Sequence, residues 1–400
     1  MTGLRISTAG LYAQGLNGML QQQQKISRTQ LELVSQSKLH RGADDPAGMA
    51  QAQRLDHAIA SLVQNGKNAD GLEHRLRSQE TALTDVGSQL TRARELAIQA
   101  NSGAMSPTDR KLIADELRAI RSEVLSIANR GDGAGRRLFA GTRDGAVPFT
   151  DNGGVVAYAG DDGRNLVEVA PDLSLGDTDP GSDVFMRVRS GDGTVRGRAD
   201  AGNAGNGVLQ STTVADHGAW GGRALRVEFT APDAWRMVDA GGAEVATGAY
   251  TAGSTISAGG VQVTLTGAPA PGDSFAVQRA PAQDVFATLQ SLADALDAPV
   301  SSPADQARRD NAIGAAIGDL GTAQDHMLTL RASTGTRLAS LDSAVDTRDA
   351  HGISLEESLS ALRDVDIAEA ASRLALQMTA LEAAQKTMLR VQGMSLFDRM

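Results

Sequence analysis

A heptad repeat of apolar residues between residues 46 and 101 constrains the fold of this chain most strongly. One apolar position recurs every seven residues, and a second follows three residues after several of these. The two sets are Leu55, Leu62, Ala69, Leu76, Leu83, Leu90 and Ala97, and Leu72, Val86, Ala93 and Ala100. This spacing lines one side of an α-helix with apolar side chains that pack against a partner helix. The repeat predicts a long helix that begins at Asp45-Pro46, an N-cap followed by proline.

Similar seams in the rest of the chain supply the partner helices. Ser106-Pro107 and Ser302-Pro303 are predicted helix starts, the second helix runs to about Asp349, and a last helix begins at Ser354. We predict a rod core formed by Leu55, Leu62, Leu76, Leu83, Leu90, Ile313, Leu320, Met327 and Leu341. The predicted assembly seam of the terminal helices is Leu16, Leu20, Leu31, Leu355, Leu359, Leu362, Leu374, Met378, Leu381 and Met388.

Residues 146–280 have a different composition. They contain 8 of the 12 aromatic residues, nine arginines and no lysine. Short apolar runs separated by Gly, Asp and Pro predict an antiparallel β domain. The predicted strands are 155–159, 166–169, 184–188, 225–229, 235–238, 261–265 and 275–277.

The predicted fold class is therefore mostly α with a β insertion, in which long paired N- and C-terminal helices carry an antiparallel β head. Its domains are terminal helical assembly segments (1–45 and 354–400), a helical rod (46–145 and 281–353) and the outer head (146–280). Two terminal helices cannot bury every apolar position on both of them. The remaining apolar surface predicts self-assembly into a homo-oligomer, with terminal segments that become ordered on assembly.

Charge and cysteine content argue against several classes of protein. The net charge is −10 and there are five lysines, which disfavours nucleic acid and anionic membranes as partners. The absence of cysteine excludes disulfides and thiolate metal sites. No stretch of the sequence approaches 18 consecutive apolar residues, and the first 16 residues lack a cleavable signal pattern.

Motifs that suggest chemistry have simpler explanations. Residues 131–135, Gly-Asp-Gly-Ala-Gly, lack the Lys-Ser/Thr ending of a phosphate loop, so we interpret them as a turn. Asp177, Asp179 and Asp183 imitate part of a calcium loop, but Val188 stands where its bidentate Glu belongs. The six histidines form no metal-binding pair. We predict no enzyme activity, metal or cofactor, although a triad assembled from distant residues leaves no sequence signature.

Seven segments of the chain carry recognisable motifs: 5–8, 44–52, 135–141, 181–186, 362–370, 381–385 and 392–397. These segments resemble the flagellar hook-associated protein 3 family, the flagellin-like proteins of the hook–filament junction. Leu4 departs from this pattern, because it stands where the family usually has its initiating Met, and the start is therefore Met1 or Leu4.

The resemblance implies a secreted structural protein of motility, exported through the flagellar type III apparatus. It also implies a ring-like homo-oligomer at the hook–filament junction, paired with an adjacent hook-associated protein, with flagellin and with a cytoplasmic export chaperone. Flagellin itself is the nearest alternative, but its typical Gln-Ala-Asn-Gln ending differs from Gln392-Gly393-Met394-Ser395-Leu396-Phe397. A β-domain enzyme or lectin on a coiled-coil stalk is an alternative from another class.

Overall fold

The computed structural model describes residues 8–43, 45–103 and 105–397. The predicted start motif at residues 5–7 and the question of the first residue lie outside this part, as do Asp44 and the last three residues. The described helices are α1 (Thr8–Ser35), α2 (Pro46–Ala100), α3 (Pro107–Ala128), α4 (His217–Trp220), α5 (Val285–Asp297), α6 (Pro303–Arg363) and α7 (Ile367–Phe397).

The long helices begin at capped positions, as their sequences predict. The Asp45 carboxylate accepts a hydrogen bond from the N–H of Gly48 at 2.8 Å. Ser106 and Ser302 cap α3 and α6 in the same way, through the N–H groups of Asp109 and Asp305. Each cap satisfies an N–H group that has no acceptor within the helix.

The predicted start of the last helix at Ser354 is wrong. Helix α6 continues to Arg363, and α7 begins only at Ile367. Gly352 does not end the helix, because a single glycine costs an α-helix only about 1 kcal/mol. The break comes where Asp366 caps α7 through the N–H groups of Ala368 and Glu369. The predicted seam residues Leu355, Leu359 and Leu362 therefore belong to α6.

The chain forms two compact units. Unit 1 contains the residues up to Gly66 and those from Asp346 onwards, and unit 2 contains Lys67–Val345. The predicted domain boundaries fall at residues 45, 145, 280 and 353, and the three-part division remains a prediction. Both α2 and α6 contribute to both units.

The main core of unit 2 lies between the helices. It combines apolar side chains of α2, α3, α5 and α6. A cluster of aromatic rings closes one side of this core, with centroids 5.0–5.8 Å apart. Its members are Phe139, Phe149, Tyr158, Phe185 and Phe286. Three of them belong to the predicted head region, so residues 146–190 complete the helical core.

The described strands are β1 (Phe149–Asn152), β2 (Val155–Tyr158), β3 (Leu166–Ala170), β4 (Leu173–Gly176), β5 (Val188–Arg189), β6 (Val195–Ala199), β7 (Val208–Val214), β8 (Leu225–Ala231), β9 (Ala234–Asp239), β10 (Glu244–Ala249), β11 (Thr255–Ala258), β12 (Val261–Thr266), β13 (Ser274–Arg279) and β14 (Ala282–Gln283). A second core lies inside the β region between two antiparallel sheets. One sheet has the strand order β10-β9-β8-β13-β6 and the other β11-β12-β7. The remaining described strands form the short pairs β1–β2, β3–β4 and β5–β14.

One predicted strand, 184–188, is wrong over most of its length. Residues Ser182–Met186 form a turn of π-helix. The turn begins after Pro180, whose carbonyl accepts hydrogen bonds from the N–H groups of Asp183 and Val184. It directs Phe185 into the aromatic cluster, where this side chain is fully buried. An alternating strand would have sent adjacent apolar residues to opposite faces.

Candidate assembly interface

Helices α1 and α7 of unit 1 pack against each other in antiparallel orientation. Gly15 lies against the Met388 sulfur, and Gln22 Nε2 donates to the Gln377 carbonyl at 3.0 Å. Apart from Glu32, the described residues that are buried or half-buried follow a spacing of four and three on both helices. In α1 they are Gly15, Met19, Gln22, Ile26, Thr29 and Leu33, and in α7 they are Ala370, Leu374, Gln377, Leu381, Ala384 and Met388. We call these two sets the intrachain seam.

The intrachain seam contains polar side chains among its apolar residues. Thr29 is 3% exposed, and its hydroxyl donates to Gln377 Oε1 at 3.1 Å. Beside it, the buried Glu32 carboxylate lies 3.6 Å from the Arg373 guanidinium and 3.3 Å from that of Arg28. Polar groups at seam positions fix the register of paired helices but reduce their stability. The seam therefore specifies how α1 and α7 align without making the pair strongly stable.

A short stretch of backbone pairing connects the segment that follows α1 to the segment that precedes α7. Ser37 and Asp364 form an antiparallel bridge. The N–H of Lys38 donates to the Arg363 carbonyl at 2.8 Å, and the N–H of Val365 donates to the Gln36 carbonyl at 3.1 Å. This contact holds the end of α1 beside the start of α7.

A second apolar stripe on the same two helices is exposed. With about 100° of rotation per residue, this stripe lies roughly 100° around α1 from the intrachain seam. On α7 an equivalent stripe is displaced from the seam in the same rotational direction, when each helix is viewed from its own N-terminus. Because the two helices are antiparallel, both stripes lie on one face of the pair. We call it the exposed apolar face: Tyr12, Leu16, Leu20, Leu31 and Val34 of α1, with Ile367, Met378 and Leu389 of α7.

The predicted assembly residues divide between these two surfaces. Leu374, Leu381 and Met388 belong to the intrachain seam. By contrast, the exposed apolar face contains Leu16, Leu20, Leu31 and Met378, each more than 40% exposed. Of the three on α6, Leu359 is buried, and Leu355 and Leu362 are half-buried. Whether any of them contacts another subunit remains a prediction.

The residues predicted for the rod core lie inside the protein. All are buried except Leu55, which is half-buried. Leu55 and Leu62 belong to unit 1 and the others to unit 2. Within unit 2, Leu83, Leu90, Ile313, Leu320 and Met327 share the main core. Leu76 and Leu341 lie in a smaller cluster with Val169, a residue of β3.

A buried charge network in unit 2 was not predicted from the sequence. The Arg75 guanidinium lies 2.8 Å from both Asp132 and Asp177, and all three side chains are at least 95% buried. Asp179 is buried nearby and pairs with Arg337. The network joins α2 and α6 to the loop between α3 and β1 and to the loop that follows β4. Buried charges of this kind are tolerated only when they are paired and hydrogen-bonded.

The network explains the two motifs that imitate binding loops. The calcium-like carboxylates Asp177 and Asp179 are paired with arginines. In the glycine-rich segment, Asp132 accepts hydrogen bonds from the N–H groups of Ala134 and Arg136, so this loop is built around a carboxylate. Among the described residues, no group of three or more His, Cys, Asp or Glu is placed to hold a metal ion.

Acid should destabilise unit 2 through Asp132. Burial favours the neutral acid, but hydrogen bonds from Arg75 and from the N–H groups of Ala134 and Arg136 outweigh burial and lower the Asp132 pKa to about 2. This pKa lies below the unfolded value of about 3.9. The contribution is therefore complete above about pH 4 and decreases as the pH falls towards 2. In Asp132→Asn, the melting temperature should depend less on pH over this range, and an unchanged dependence would contradict the assignment.

Comparisons with known proteins agree with this architecture. The bacterial flagellin N-terminal helical region matches residues 6–144, and the flagellin C-terminal helical region matches residues 317–398. The chain is similar to flagellar hook-associated protein 3 of Escherichia coli (strain K12), with 24% identity over 396 residues and 99% of each chain. It is also similar to the crystal structure of Xanthomonas campestris FlgL, with 40% identity over 76% of this chain and 99% of that chain and a TM-score of 0.72.

The chain belongs to the family of flagellar hook-associated protein 3, FlgL. The predicted resemblance and the predicted fold class are both confirmed, and the protein is a structural component of the flagellum. A flagellin of Bacillus subtilis (strain 168) is 30% identical over 168 residues, which are 41% of this chain and 53% of that one. In the described part of the chain, no helix has both the length and the apolar character needed to cross a membrane.

Proposed function

We propose that this protein joins the hook of the bacterial flagellum to its filament and assembles through its paired terminal helices. The exposed apolar face of α1 and α7 is the observation that carries this proposal. Its large apolar side chains lie on one side of the α1–α7 pair, and they are separate from the intrachain seam through which the two helices contact each other. Several large apolar side chains exposed on one side of a helix pair are typical of protein–protein contacts.

The family supplies the partners in this proposal. The protein forms a ring-like homo-oligomer outside the cell, at the hook–filament junction, and has no catalytic role. An adjacent hook-associated protein lies on one side and flagellin on the other, and a cytoplasmic chaperone accompanies the subunit before export. Neither nucleic acid nor membrane is a partner. The full-length similarity to hook-associated protein 3, against the partial similarity to flagellin, supports a junction rather than a filament subunit.

A deletion strain tests the proposed position. Cells without this protein should keep their hooks, lack filaments and release flagellin monomers into the medium. Electron microscopy of the cells and immunoblotting of the culture medium give the two measurements. Filaments of normal length on the deletion strain would contradict a junction role, and a strain that accumulates no flagellin in the medium would favour a filament subunit.

The intrachain seam is required for this assembly. Leu381→Asp should unpair α1 from α7 and abolish motility, because a carboxylate in the seam has no partner to offset its burial. Leu376→Asp is a matched control, since Leu376 is 71% exposed on the opposite flank of the same helix. Trypsin should cleave α1 faster in Leu381→Asp than in Leu376→Asp, while the β region resists cleavage in both. Equal motility of the two variants would contradict the role of the seam.

A further inference from the structure

The chain itself connects the β sandwich of unit 2 to the helices through a pair of short strands, β5 and β14. The chain enters the sandwich through β5 and leaves it through β14, and these strands pair at Arg189–Ala282 and Val188–Gln283. The N–H of Ser190 extends the pairing with a 3.1 Å hydrogen bond to the Pro281 carbonyl. Both chain crossings therefore lie side by side, which is the arrangement of a pivot. We call residues 195–279 the sandwich and the β5–β14 pair the pivot.

A second attachment holds the sandwich to α6 through a side-chain amide. Asn311 Oδ1 accepts a hydrogen bond from the Leu209 N–H at 2.7 Å, and its Nδ2 donates to the Gly207 carbonyl at 3.0 Å. Both backbone groups belong to the sandwich, in and just before β7. Strand β7 is the edge of its sheet and pairs with β12 on one side. Asn311 provides hydrogen-bond partners for backbone groups at its start.

A third attachment lies two turns further along α6. Asp319 is 5% exposed, and its carboxylate accepts a hydrogen bond from the Gly191 N–H at 2.7 Å. The same carboxylate pairs with Arg196 of β6 at 2.8 Å. The Thr322 hydroxyl donates to the Gly191 carbonyl at 2.6 Å. These contacts are polar, directional and confined to one face of the helix.

A cavity separates the remaining surfaces. It has a volume of about 750 Å³ and lies between β6 and β7 on one side and α5 and α6 on the other. On α6 its lining consists largely of small residues, including Gly314, Ala315 and Gly318. Among the described residues, the sandwich core and the helical core have no buried residue in common. The two cores are therefore separate, and the contacts named above between α6 and the sandwich or the segment that leads into it are polar.

We propose that Asn311 and Asp319 form a latch that sets the orientation of the sandwich, and that the sandwich turns about the pivot when this latch opens. When the latch opens, hydrogen bonds to water replace the hydrogen bonds and the ion pair of Asn311 and Asp319. This water enters from the cavity. Opening exposes neither hydrophobic core. The sandwich consequently has a second orientation that leaves its own fold and the helical core unchanged. This inference does not depend on the flagellar role of the protein.

Distance measurements between two spin labels test the latch in the full chain. The sequence has no cysteine, so Ser88→Cys on α2 and Ser257→Cys on β11 provide two unique exposed sites. Double electron–electron resonance should give one narrow distance distribution for the otherwise native chain. The combined change Asn311→Ala and Asp319→Asn should add a second distance population. Asp325→Asn is the matched control, because it removes the same charge from an exposed position of α6 and should leave the distribution narrow.

A variant on the other side of the contact separates latch opening from misfolding. Arg196→Gln removes the ion pair from the sandwich, and it should also add the second population. Circular dichroism should show native helix and strand content for every variant used. Retention of a single narrow distribution by both latch variants in the folded state would overturn the proposal. A native chain already as broadly distributed as the variants would overturn it too, because the contacts would then not hold the sandwich.

Discussion

Replacement of Arg75 by methionine is expected to lower the free energy of unfolding of the protein by about 3–5 kcal/mol. The substitution keeps a long side chain at a position that is 2% exposed, but it removes the cation shared by Asp132 and Asp177. Two buried carboxylates then lack their main partner, and leaving a buried charge unpaired costs much more than losing an exposed pair. Urea unfolding followed by circular dichroism measures the change.

The same helix provides the control for this prediction. Arg77 pairs with Glu73 one turn away, but both side chains are well exposed, at 65% and 39%. Water screens exposed pairs of this type, so Arg77→Met should have little effect on the free energy of unfolding. A loss for Arg75→Met that is no larger than the loss for Arg77→Met would show that the network does not stabilise unit 2.

Substitution of Leu20 by aspartate is expected to abolish assembly without unfolding the subunit. Leu20 is 48% exposed on the exposed apolar face and is not part of the intrachain seam. Burial of a leucine side chain contributes about 1.5–3 kcal/mol, and each subunit of an assembly would lose this contribution and bury a charge as well. Complementation of the deletion strain with Leu20→Asp should therefore not restore swimming.

The adjacent residue is a close control for Leu20. Gln21 lies on the opposite, polar flank of α1, where Lys25 and Arg28 are its neighbours. Gln21→Asp introduces the same charge one residue away and should restore swimming in the deletion strain. Circular dichroism of both purified variants checks that their folds agree. If Leu20→Asp supports normal motility, or if Gln21→Asp is equally defective, the exposed apolar face is not the assembly surface.

The inward side of α2 is visible in the sequence because its repeat consists of large apolar residues. Leu76, Leu83 and Leu90 recur every seven residues, and each is fully buried. The period alone identifies which side of α2 faces inward. The helix starts are equally visible, since a Ser-Pro pair followed by an acidic residue satisfies the first turn by local contacts alone.

On α1 the pattern of large apolar residues points to the exposed apolar face rather than to the intrachain seam. The intrachain seam of α1 contains Gly15, Gln22 and Thr29, and none of these three is a large apolar residue. Three described leucines of this helix, Leu16, Leu20 and Leu31, lie instead on the exposed apolar face. In an isolated subunit, the most apolar stripe of a helix need not be the one that packs within the chain. A polar seam beside an exposed leucine stripe is the pattern that would have distinguished them.

The charge network and the latch are not visible in the sequence because their partners are far apart along the chain. Arg75 pairs with residues 57 and 102 positions away, and Asn311 contacts a strand 102 positions away. No periodic pattern relates such residues. Asp177 and Asp179 attract attention as carboxylates, but only the fold shows that arginines occupy the places a cation would take.

The proposed role at the hook–filament junction is tested most directly by the position of the subunit on the assembled flagellum. An epitope inserted between Gly241 and Gly242, in the exposed turn between β9 and β10, leaves the terminal helices unchanged. Immunogold electron microscopy of flagella from cells with this variant measures where the subunit lies. Label in a single narrow band where the hook meets the filament is the predicted result. Label along the whole filament would identify a filament subunit instead and would contradict the proposed junction role.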